Sequence, residues 1–479
     1  MQIIRIKIKY FRSIEKVEFS PTAITPICGT NSSGKSNILR ALRLAFLKDV
    51  TTEKLAENIT YSAGPNAQCV IELEFDEPNP AMVGEFQNLP PHTSFTIKTA
   101  FKRTGGITRQ INGTKLSDSE FQIFASNFLL IYVPAIRDIS IDGLRPFKEA
   151  LLEVLIKQRG ADSIANINNS VQSAISRRGK AMLSGPNSIA KNWLHVDRLD
   201  IDTTSISIAE LLPSVGIRVK TGVSSFPLSK LGTGHQSAVV IKLYRELGTE
   251  SGLSVIYLFE EPDNHLHPTS IGVIANELID CASNSNGQVF LTTHSPYLLN
   301  HFDPSTVLPL TTNAERLTEK RTVNLTRSNR DLRISLSKFG LRPAESLLAR
   351  RIIVVEGQND VNAMRAFVEM HSKSLPEHQD ILIVSAGGKA PLADLCILLE
   401  ELGADWRAVL DWDATHSTSQ PILRSNLTPT EITDTSNAIN TLQSNIASHP
   451  IRKSKLQKQL TAMIHELGNP PPPGSFETS

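Results

Sequence analysis

One stretch of the sequence combines glycines, a lysine and a serine at the spacing that binds phosphate groups. The stretch GTNSSGKS, residues 29–36, fits the pattern G-x-x-x-x-G-K-[ST] at every fixed position. In such a loop, backbone N–H groups and a helix N-terminus face the phosphate oxygens. Lys35 would reach the outer phosphates, and Ser36 would hold Mg²⁺. The candidate nucleotide-binding residues are Gly29, Asn31, Gly34, Lys35, Ser36 and Asn37.

The residues on either side of this loop have the patterns that a phosphate loop requires. An apolar run, residues 24–28, comes before it, and apolar residues recur at helical spacing after it, at Leu39, Leu42 and Phe46. We therefore expect a strand, the loop and a helix. A serine- and glycine-rich turn that matches the pattern by chance is the alternative, and the flanking elements make it the weaker one.

Acidic residues and a histidine follow two further apolar runs. SVIYLFEEPDNHLHP, residues 254–268, contains Glu260 and Glu261, and QVFLTTHSP, residues 288–296, contains His294. Ligands of open α/β sheets bind at the carboxyl ends of strands. Phosphoryl transfer to water would use Glu260 to hold the metal through water, Glu261 to orient the attacking water and His294 to reach the γ-phosphate. Taken singly, the glutamates could be a solvated strand end and the histidine a core-edge residue bonded to backbone.

A second set of acidic residues lies later in the chain. EGQND contains Glu356 and Asp360 at the end of one apolar run, and LDWD contains Asp411 and Asp413 at the end of another. Carboxylates that converge at one sheet edge repel each other unless a cation lies between them, and Mg²⁺ prefers oxygen ligands. Two-metal cleavage of a phosphodiester needs that arrangement. Each short motif is a weak signal alone, and the two in order on strand ends are a stronger one.

The composition is that of an ordinary globular protein. The chain has 479 residues, 40% of them apolar and 20% charged, a length that allows two or three domains. No apolar run is long enough to span a bilayer and no signal-peptide pattern is present, so we expect a cytoplasmic protein with no membrane partner. The formal net charge of +1 neither requires nor excludes DNA binding. The cysteines are dispersed, which argues against a zinc module or a disulfide framework: Cys28, Cys69, Cys281 and Cys396.

The first α/β region is expected to hold the phosphate loop. Alternating apolar residues predict a strand at residues 4–10 and an antiparallel meander over residues 69–111. The continuous apolar run at 128–134 predicts a strand that is buried on both faces.

Residues 137–225 have the texture of an insertion. Helical patterns at residues 146–156 and 164–175 are followed by polar, irregular sequence. The segment could be a plain helical elaboration or a subunit-contact domain, and the residues alone leave both open.

A separate parallel-sheet domain begins near residue 350. A basic stretch, residues 316–333, precedes it, and either a solvated linker face or a contact with a phosphate backbone would explain its charge. Strand and helix patterns then alternate in βαβ order. We expect strands at 350–357, 380–385 and 406–413, helices at 360–371 and 390–402, and a polar tail from 428 with a helix near 453–467.

The first set of motifs resembles the ABC-type ATPases, and specifically the OLD (overcoming lysogenization defect) family. The resemblance is carried by GTNSSGKS, by LSKLGTGHQS at 228–237 as the signature, by FEEPDNHLHP at 259–268 as Walker B and by TTHSP as the H-loop. The Glu-Glu-Pro form is typical of OLD proteins, and YVPAIRD at 132–138 occupies the place of the Q-loop. The resemblance implies ATP as the nucleotide and a homodimer or higher homo-oligomer, in which the signature of one subunit closes over the ATP of the other. The signature residues acting in trans would be Ser229, Gly232 and Gly234.

The second acidic set resembles the Toprim domain of topoisomerases, primases and OLD nucleases. The resemblance implies that Glu356 is a metal ligand or an acid/base and that Asp411 and Asp413 are metal ligands, with Mg²⁺ or Mn²⁺ as the metal. Asp360 matches the acidic residue that follows the glutamate in OLD proteins, and Gly387-Gly388 lies near the family's central glycine. A further acidic residue and a lysine are expected nearer the C-terminus, with Glu431, Lys453, Lys455 and Lys458 as candidates.

The expected fold is α/β, with an ABC-type ATPase domain that has a helical, dimerisation-like insertion, followed by a C-terminal Toprim domain of Rossmann-like form. The ATPase domain would comprise residues 1–136 and 226–335, the insertion residues 137–225, and the Toprim domain with its tail residues 336–479.

The resemblance implies an ATPase-gated, metal-dependent DNA endonuclease. It also implies a role in bacterial defence against phage, together with a partner such as a helicase-like protein or a reverse-transcribed DNA element. The alternative is a nucleotide-sensing assembly protein whose Toprim domain binds nucleic acid or a partner without cutting. A topoisomerase or primase is less favoured, because there is no zinc module and little sequence follows the Toprim pattern.

Overall fold

The computed structural model describes most of the chain and divides it into two compact units. The first unit comprises residues 1–26 and 35–293, and the second comprises residues 27–34 and 294–479. The phosphate-loop pattern therefore crosses the boundary, which falls between Gly34 and Lys35. The described residues are 1–47, 58–59, 64, 67–86, 89–102, 106–135, 147, 151–152, 154, 165–170, 172–173, 176, 218–221, 224–264, 266–284, 287–376, 380–388 and 390–409.

The described strands and helices follow in chain order. The strands are β1 (Ile3–Phe11), β2 (Ile14–Phe19), β3 (Ile24–Gly29), β4 (Gln68–Phe75), β5 (Phe95–Lys102), β6 (Ile107–Ile111), β7 (Thr114–Lys115), β8 (Phe128–Val133), β9 (Arg218–Thr221), β10 (Ser224–Pro227), β11 (Ser254–Glu260), β12 (Gly287–Thr292), β13 (Leu308–Thr312), β14 (Thr318–Lys320), β15 (Arg351–Val355), β16 (Ile381–Ser385) and β17 (Trp406–Val409). The α-helices are α1 (Lys35–Phe46), α2 (Pro80–Glu85), α3 (Asp118–Ser126), α4 (Thr233–Ser251), α5 (Pro268–Asn284), α6 (Pro296–Leu299), α7 (Asn329–Ser337), α8 (Pro343–Leu348), α9 (Gln358–Ser372) and α10 (Leu392–Glu401).

The first unit contains a six-stranded antiparallel sheet in the order β2-β1-β4-β5-β6-β7. Along β1, Ile6 and Ile8 are buried whereas Arg5 is exposed, because successive side chains point to opposite faces of the sheet. The predicted first strand and the antiparallel meander are confirmed. Strand β2 was not predicted, since three of its six residues are charged, and it forms because Arg12 takes a left-handed conformation (φ 52°) that reverses the chain.

The first acidic motif lies at the end of β11, the middle one of three parallel strands in the first unit. Strand β11 lies between β8 and β12 and is parallel to both. Every residue of β12 is buried, and so are six of the seven residues of β11, which explains the apolar runs at residues 255–259 and 289–291. Helix α1 packs against β11 and β12. Helices α4 and α5 pack together through Arg245, whose guanidinium lies 2.8 Å from both Glu277 and Asp280.

The inserted segment lies largely outside the described residues. Its described positions between 147 and 176 are helical, in agreement with the helical pattern there. Strands β9 and β10 form an antiparallel hairpin in a stretch that was expected to be irregular, and the Arg218 guanidinium donates to the Ser225 carbonyl at 2.8 Å. A role of the insertion in subunit contact stays a prediction.

In the second unit, the end of β3 pairs in parallel with β13, and β13 pairs with β14 in antiparallel fashion. The pair Gly29 and Leu310 is unusually close, since a Cβ atom on Gly29 would lie 2.1 Å from the Leu310 carbonyl oxygen. Gly29 also has φ 145°, a conformation that side chains other than glycine's rarely allow. The strand that leads into the phosphate loop therefore ends at a position that only glycine fits.

The second unit also contains a three-stranded parallel sheet in the order β16-β15-β17. Helix α9 connects β15 to β16 and helix α10 connects β16 to β17, so the predicted βαβ pattern is confirmed. The two faces of β15 belong to different cores. Ile352 and Val354 join a large cluster that includes residues of α7, α8 and α10, whereas Ile353 and Val355 pack with Val368 of α9.

Among the described residues, no helix has both the length and the apolar composition that crossing a membrane requires.

The close approach at Gly29 predicts a large loss of stability on substitution. Gly29→Ala should lower the free energy of unfolding by roughly 3 kcal/mol or more, because it combines backbone strain with a clash against a strand carbonyl. Gly113→Ala is the matched control, since Gly113 also has a left-handed conformation (φ 84°) but no atom within 4 Å of the added Cβ. Urea unfolding monitored by circular dichroism would measure both, and equal losses would contradict the clash.

Candidate active sites

The phosphate loop has a backbone of alternating handedness. Gly29, Ser32 and Gly34 have positive φ angles of 145°, 63° and 94°. The Ser33 N–H donates to the Thr30 carbonyl at 3.3 Å, which closes a tight turn inside the loop. Such alternation is the geometry of backbone concavities that bind anions. Asn31 is an exposed residue of this loop.

Helix α1 begins directly after the loop, at Lys35. The Lys35 side chain is buried, and Ser36 is half-buried. The Asn37 amide donates to the Ser13 hydroxyl at 2.8 Å. Asn37 therefore fixes the turn between β1 and β2 to the start of α1. Its contact with a nucleotide stays a prediction.

Glu260 is the last residue of β11 and is only 7% exposed. Its carboxylate is within hydrogen-bonding reach of the Tyr132 hydroxyl on the neighbouring strand β8. Burial raises the pKa of Tyr132, and the Glu260 carboxylate raises it further because a phenolate would be repelled there. The Tyr132 ring in turn lies under the guanidinium of Arg43, 4.5 Å from it. The sequence pointed to Tyr132 only as part of YVPAIRD, and the contact with Glu260 depends on strand order.

The loop after β11 is fastened to the end of β12. Glu261 takes a left-handed conformation (φ 43°), and its N–H donates to the Thr292 carbonyl at 3.0 Å and to the Thr292 hydroxyl at 3.2 Å. The Thr293 hydroxyl donates to Asp263 at 3.0 Å. A left-handed glutamate held by a neighbouring strand is the kind of local strain that functional sites retain.

His294 follows β12. It is the first residue of the longer segment of the second unit, residues 294–479. It is partly buried. The next residue, Ser295, caps the short helix α6 by accepting from the Leu298 N–H at 3.3 Å. The chain direction at His294 is thus set by an N-cap immediately after it.

The signature motif surrounds the N-terminus of α4. Ser229 lies in a short 3₁₀ turn, Leu228–Lys230, and Gly232 is the N-cap residue of α4. A Cβ on Gly234 would lie 2.8 Å from Leu266, so that side chain packs tightly over the first turn. The motif therefore presents backbone N–H groups at the start of a 19-residue helix.

The second acidic set begins at the end of β15. Glu356 follows that strand and is 8% exposed. Its carbonyl oxygen accepts from the Gly388 N–H at 2.8 Å and from the Ser385 hydroxyl at 3.2 Å, in the tight turn expected at Gly387-Gly388. The Asp360 carboxylate accepts from the Gly357 N–H at 2.8 Å and so caps α9.

Two of the four predicted carboxylates are thus placed at the same end of β15. Strand β17 pairs with β15 as far as Val409 and Val355, immediately before Glu356. Asp411 and Asp413 lie outside the described residues, as do Glu431 and the candidate lysines. Within the described ranges, no group of three or more histidine, cysteine, aspartate or glutamate residues is close enough to hold a metal. The donor chemistry of Glu356 and Asp360 fits a hard, oxygen-seeking cation.

Three arginines of the basic stretch have structural partners within the second unit. The Arg321 guanidinium donates to the Leu347 carbonyl and, at 3.2 Å, to the Ala349 carbonyl, and burial lowers its pKa. Arg327 lies 3.1 Å from Glu401, and Arg333 donates to the Phe302 carbonyl at 2.9 Å. These three guanidinium groups therefore have structural partners around α7 and α8. Arg316, Lys320 and Arg330 are exposed.

Two family models match the chain. A model described as "AAA ATPase domain" matches residues 1–135 and 129–299, which is more than half of the chain. A second, described as "Overcoming lysogenization defect protein-like, TOPRIM domain", matches residues 347–413. The expected α/β fold class, an ATPase domain followed by a Toprim domain, is confirmed.

Three curated proteins are similar over most of the chain. "OLD nuclease" of Thermus scotoductus is 25% identical over 474 residues, covering 85% of this chain and 81% of that protein. "Old nuclease" of Escherichia phage P2 is 21% identical, covering 86% of this chain and 77% of that protein. "Endonuclease GajA" of Bacillus cereus is 21% identical, covering 75% of this chain and 66% of that protein.

The cap at Asp360 predicts a stability effect that is separate from any metal. Asp360→Ala should cost about 1 kcal/mol, because the Gly357 N–H loses its acceptor, and Asp360→Asn should cost less, because its amide oxygen can still accept. Urea unfolding would compare both with Glu369→Ala, a change at an exposed position of the same helix. Unaltered stability of Asp360→Ala would contradict the cap.

Proposed function

Because the chain belongs to the AAA ATPase domain family and carries an OLD-like TOPRIM domain after it, we propose that it is an ATP-dependent, metal-dependent DNA endonuclease. The observation that carries the nuclease is Glu356, a carboxylate buried at the end of the central strand of the TOPRIM sheet. A buried carboxylate is costly unless a cation or hydrogen-bond donors stabilise it, so its presence at this position favours a chemical role. The names of the relatives, two OLD nucleases and one endonuclease, support the same activity.

In the ATPase, different residues would bind the phosphates, hold the metal and orient the attacking water during phosphoryl transfer. The loop backbone from Gly29 to Gly34 would bind the phosphates, with Lys35 neutralising the charge of the outer two. Ser36 and Glu260 would hold Mg²⁺, which when bound neutralises charge on the phosphates. Glu261 would orient the attacking water and His294 would bind the γ-phosphate oxygens.

In the nuclease, the carboxylates would hold the metal and position the phosphodiester. Glu356 follows β15, Asp360 lies in the first turn of α9, and Asp411 and Asp413 would complete the set. Mg²⁺ or Mn²⁺, when bound, would supply Lewis-acid stabilisation of the attacking and leaving oxygens. Asp360 also caps α9, so its carboxylate is held in a fixed direction.

The larger assembly follows from the signature motif. We propose a homodimer in which Ser229, Gly232 and Gly234 of one subunit close over ATP held by the other, since these residues surround a helix N-terminus. The proposed division of the chain is 1–136 and 226–335 for the ATPase, 137–225 for a dimerisation insertion and 336–479 for the TOPRIM domain. Action on DNA in the cytoplasm, in defence against phage and with a partner protein or nucleic acid, extends the same proposal.

The alternative function is a nucleotide-sensing assembly protein that binds nucleic acid or a partner without cutting. The observation that favours it is that arginines of the basic stretch and Asp360 form hydrogen bonds within the fold. These residues therefore have a structural role that needs no substrate. A protein of this kind would bind ATP but leave plasmid DNA intact.

Plasmid nicking separates these two functions. With Mg²⁺ or Mn²⁺, and with and without ATP, wild type should nick supercoiled plasmid, while Glu356→Gln and Asp411→Ala should lose at least about a hundredfold in rate. Glu369→Gln, which removes an exposed carboxylate from α9, should nick as wild type does. Equal nicking by Asp411→Ala and wild type would reject the nuclease, and intact plasmid under every condition would favour the assembly protein.

Steady-state ATP hydrolysis tests the nucleotide site. Lys35→Ala and Glu261→Gln should each abolish turnover, the first by loss of phosphate charge neutralisation and the second by loss of the water-orienting group. The matched exposed controls are Lys115→Ala and Glu315→Gln, which should hydrolyse ATP at the rate of wild type. Turnover that is unchanged in Lys35→Ala or Glu261→Gln would reject the residue concerned.

A further inference from the structure

Tyr132 lies beside the strand that carries Glu260. It is opposite Leu258 in the parallel pairing of β8 with β11. Because side chains alternate along a strand, Leu258 and Glu260 lie on the same face as Tyr132, and an aromatic side chain can reach such a diagonal neighbour. The Tyr132 hydroxyl is therefore within hydrogen-bonding reach of the Glu260 carboxylate.

Helix α1 also contacts the Tyr132 ring. The Arg43 guanidinium lies over the ring, 4.5 Å from its centre, an arrangement in which a cation is attracted to the aromatic face. Arg43 is on the same helix that begins with Lys35 and Ser36. The ring is therefore fixed between the helix that follows the phosphate loop and the strand end that carries the buried carboxylate.

We propose that Tyr132 is a positioning residue for the metal of the nucleotide site and that it acts through Glu260, an inference that rests on the proposed ATPase function. A hydroxyl donor on one carboxylate oxygen fixes the rotation of the carboxylate and leaves the other oxygen in a defined direction. Tyr132 itself does not contact the metal. Its role is to order Glu260 before Mg²⁺ and nucleotide bind.

The test is the Mg²⁺ dependence of nucleotide binding. A fluorescent, non-hydrolysable ATP analogue is titrated with Mg²⁺ in wild type, Tyr132→Phe, Glu260→Gln and the double variant. Tyr132→Phe keeps the ring under Arg43 and removes only the hydroxyl. We expect the Mg²⁺ concentration at half-maximal binding to rise roughly tenfold, with binding in the presence of EDTA unchanged. Tyr297→Phe, at an exposed tyrosine, should behave as wild type.

The double variant identifies the route of the effect. If Tyr132 acts through Glu260, then adding Tyr132→Phe to Glu260→Gln should produce no further shift. The inference is overturned if Tyr132→Phe leaves the Mg²⁺ midpoint unchanged, if it weakens binding equally with Mg²⁺ and with EDTA, or if its shift adds fully to that of Glu260→Gln. A wild type that binds no nucleotide would overturn the ATPase proposal as well, whereas failure of Tyr132→Phe alone leaves that proposal intact.

Discussion

The burial of a carboxylate at the end of an apolar strand is the constraint on which both candidate sites depend. Glu260 ends β11 and Glu356 follows β15, and each is less than a tenth exposed. Moving a charged carboxylate out of water costs several kcal/mol, so neither residue is explained by stability. The surrounding structure must supply groups that tolerate the charge, and the same groups determine what else can bind there.

Backbone groups next to each carboxylate form hydrogen bonds with partners other than the carboxylate itself. The Glu261 N–H is taken by Thr292, and the Glu356 carbonyl is taken by Gly388 and Ser385. The first turn relies on Glu261, which is left-handed and directly follows its carboxylate, whereas the second relies on the left-handed Gly387 and Gly388, which follow the neighbouring strand β16. Each buried carboxylate is thus followed or flanked by a loop that is held by hydrogen bonds. The loop after Glu260 is bonded to the neighbouring strand β12, and the Glu356 carbonyl is bonded to the turn that contains Gly387 and Gly388.

The sequence predicts elements well where one periodicity dominates. Alternation in β1 and the unbroken apolar runs of β11 and β15 specify strands because the burial of one or both faces leaves no other choice. Strand β2 was missed because charged residues hide its alternation. The proximity of Tyr132 to Glu260, and the use of Arg321 as a donor to carbonyls at the end of α8, could not be predicted, since both depend on which elements are neighbours in space.

The contact at the start of the phosphate loop limits which substitutions the protein can tolerate at position 29. Gly29 is confined by the carbonyl oxygen of Leu310, a backbone atom that every amino acid possesses. A smaller side chain at position 310 would therefore not make room for a larger residue at position 29. Genetic suppressors of a defect at Gly29 should be absent from position 310, and variation at Leu310 should be limited only by its burial.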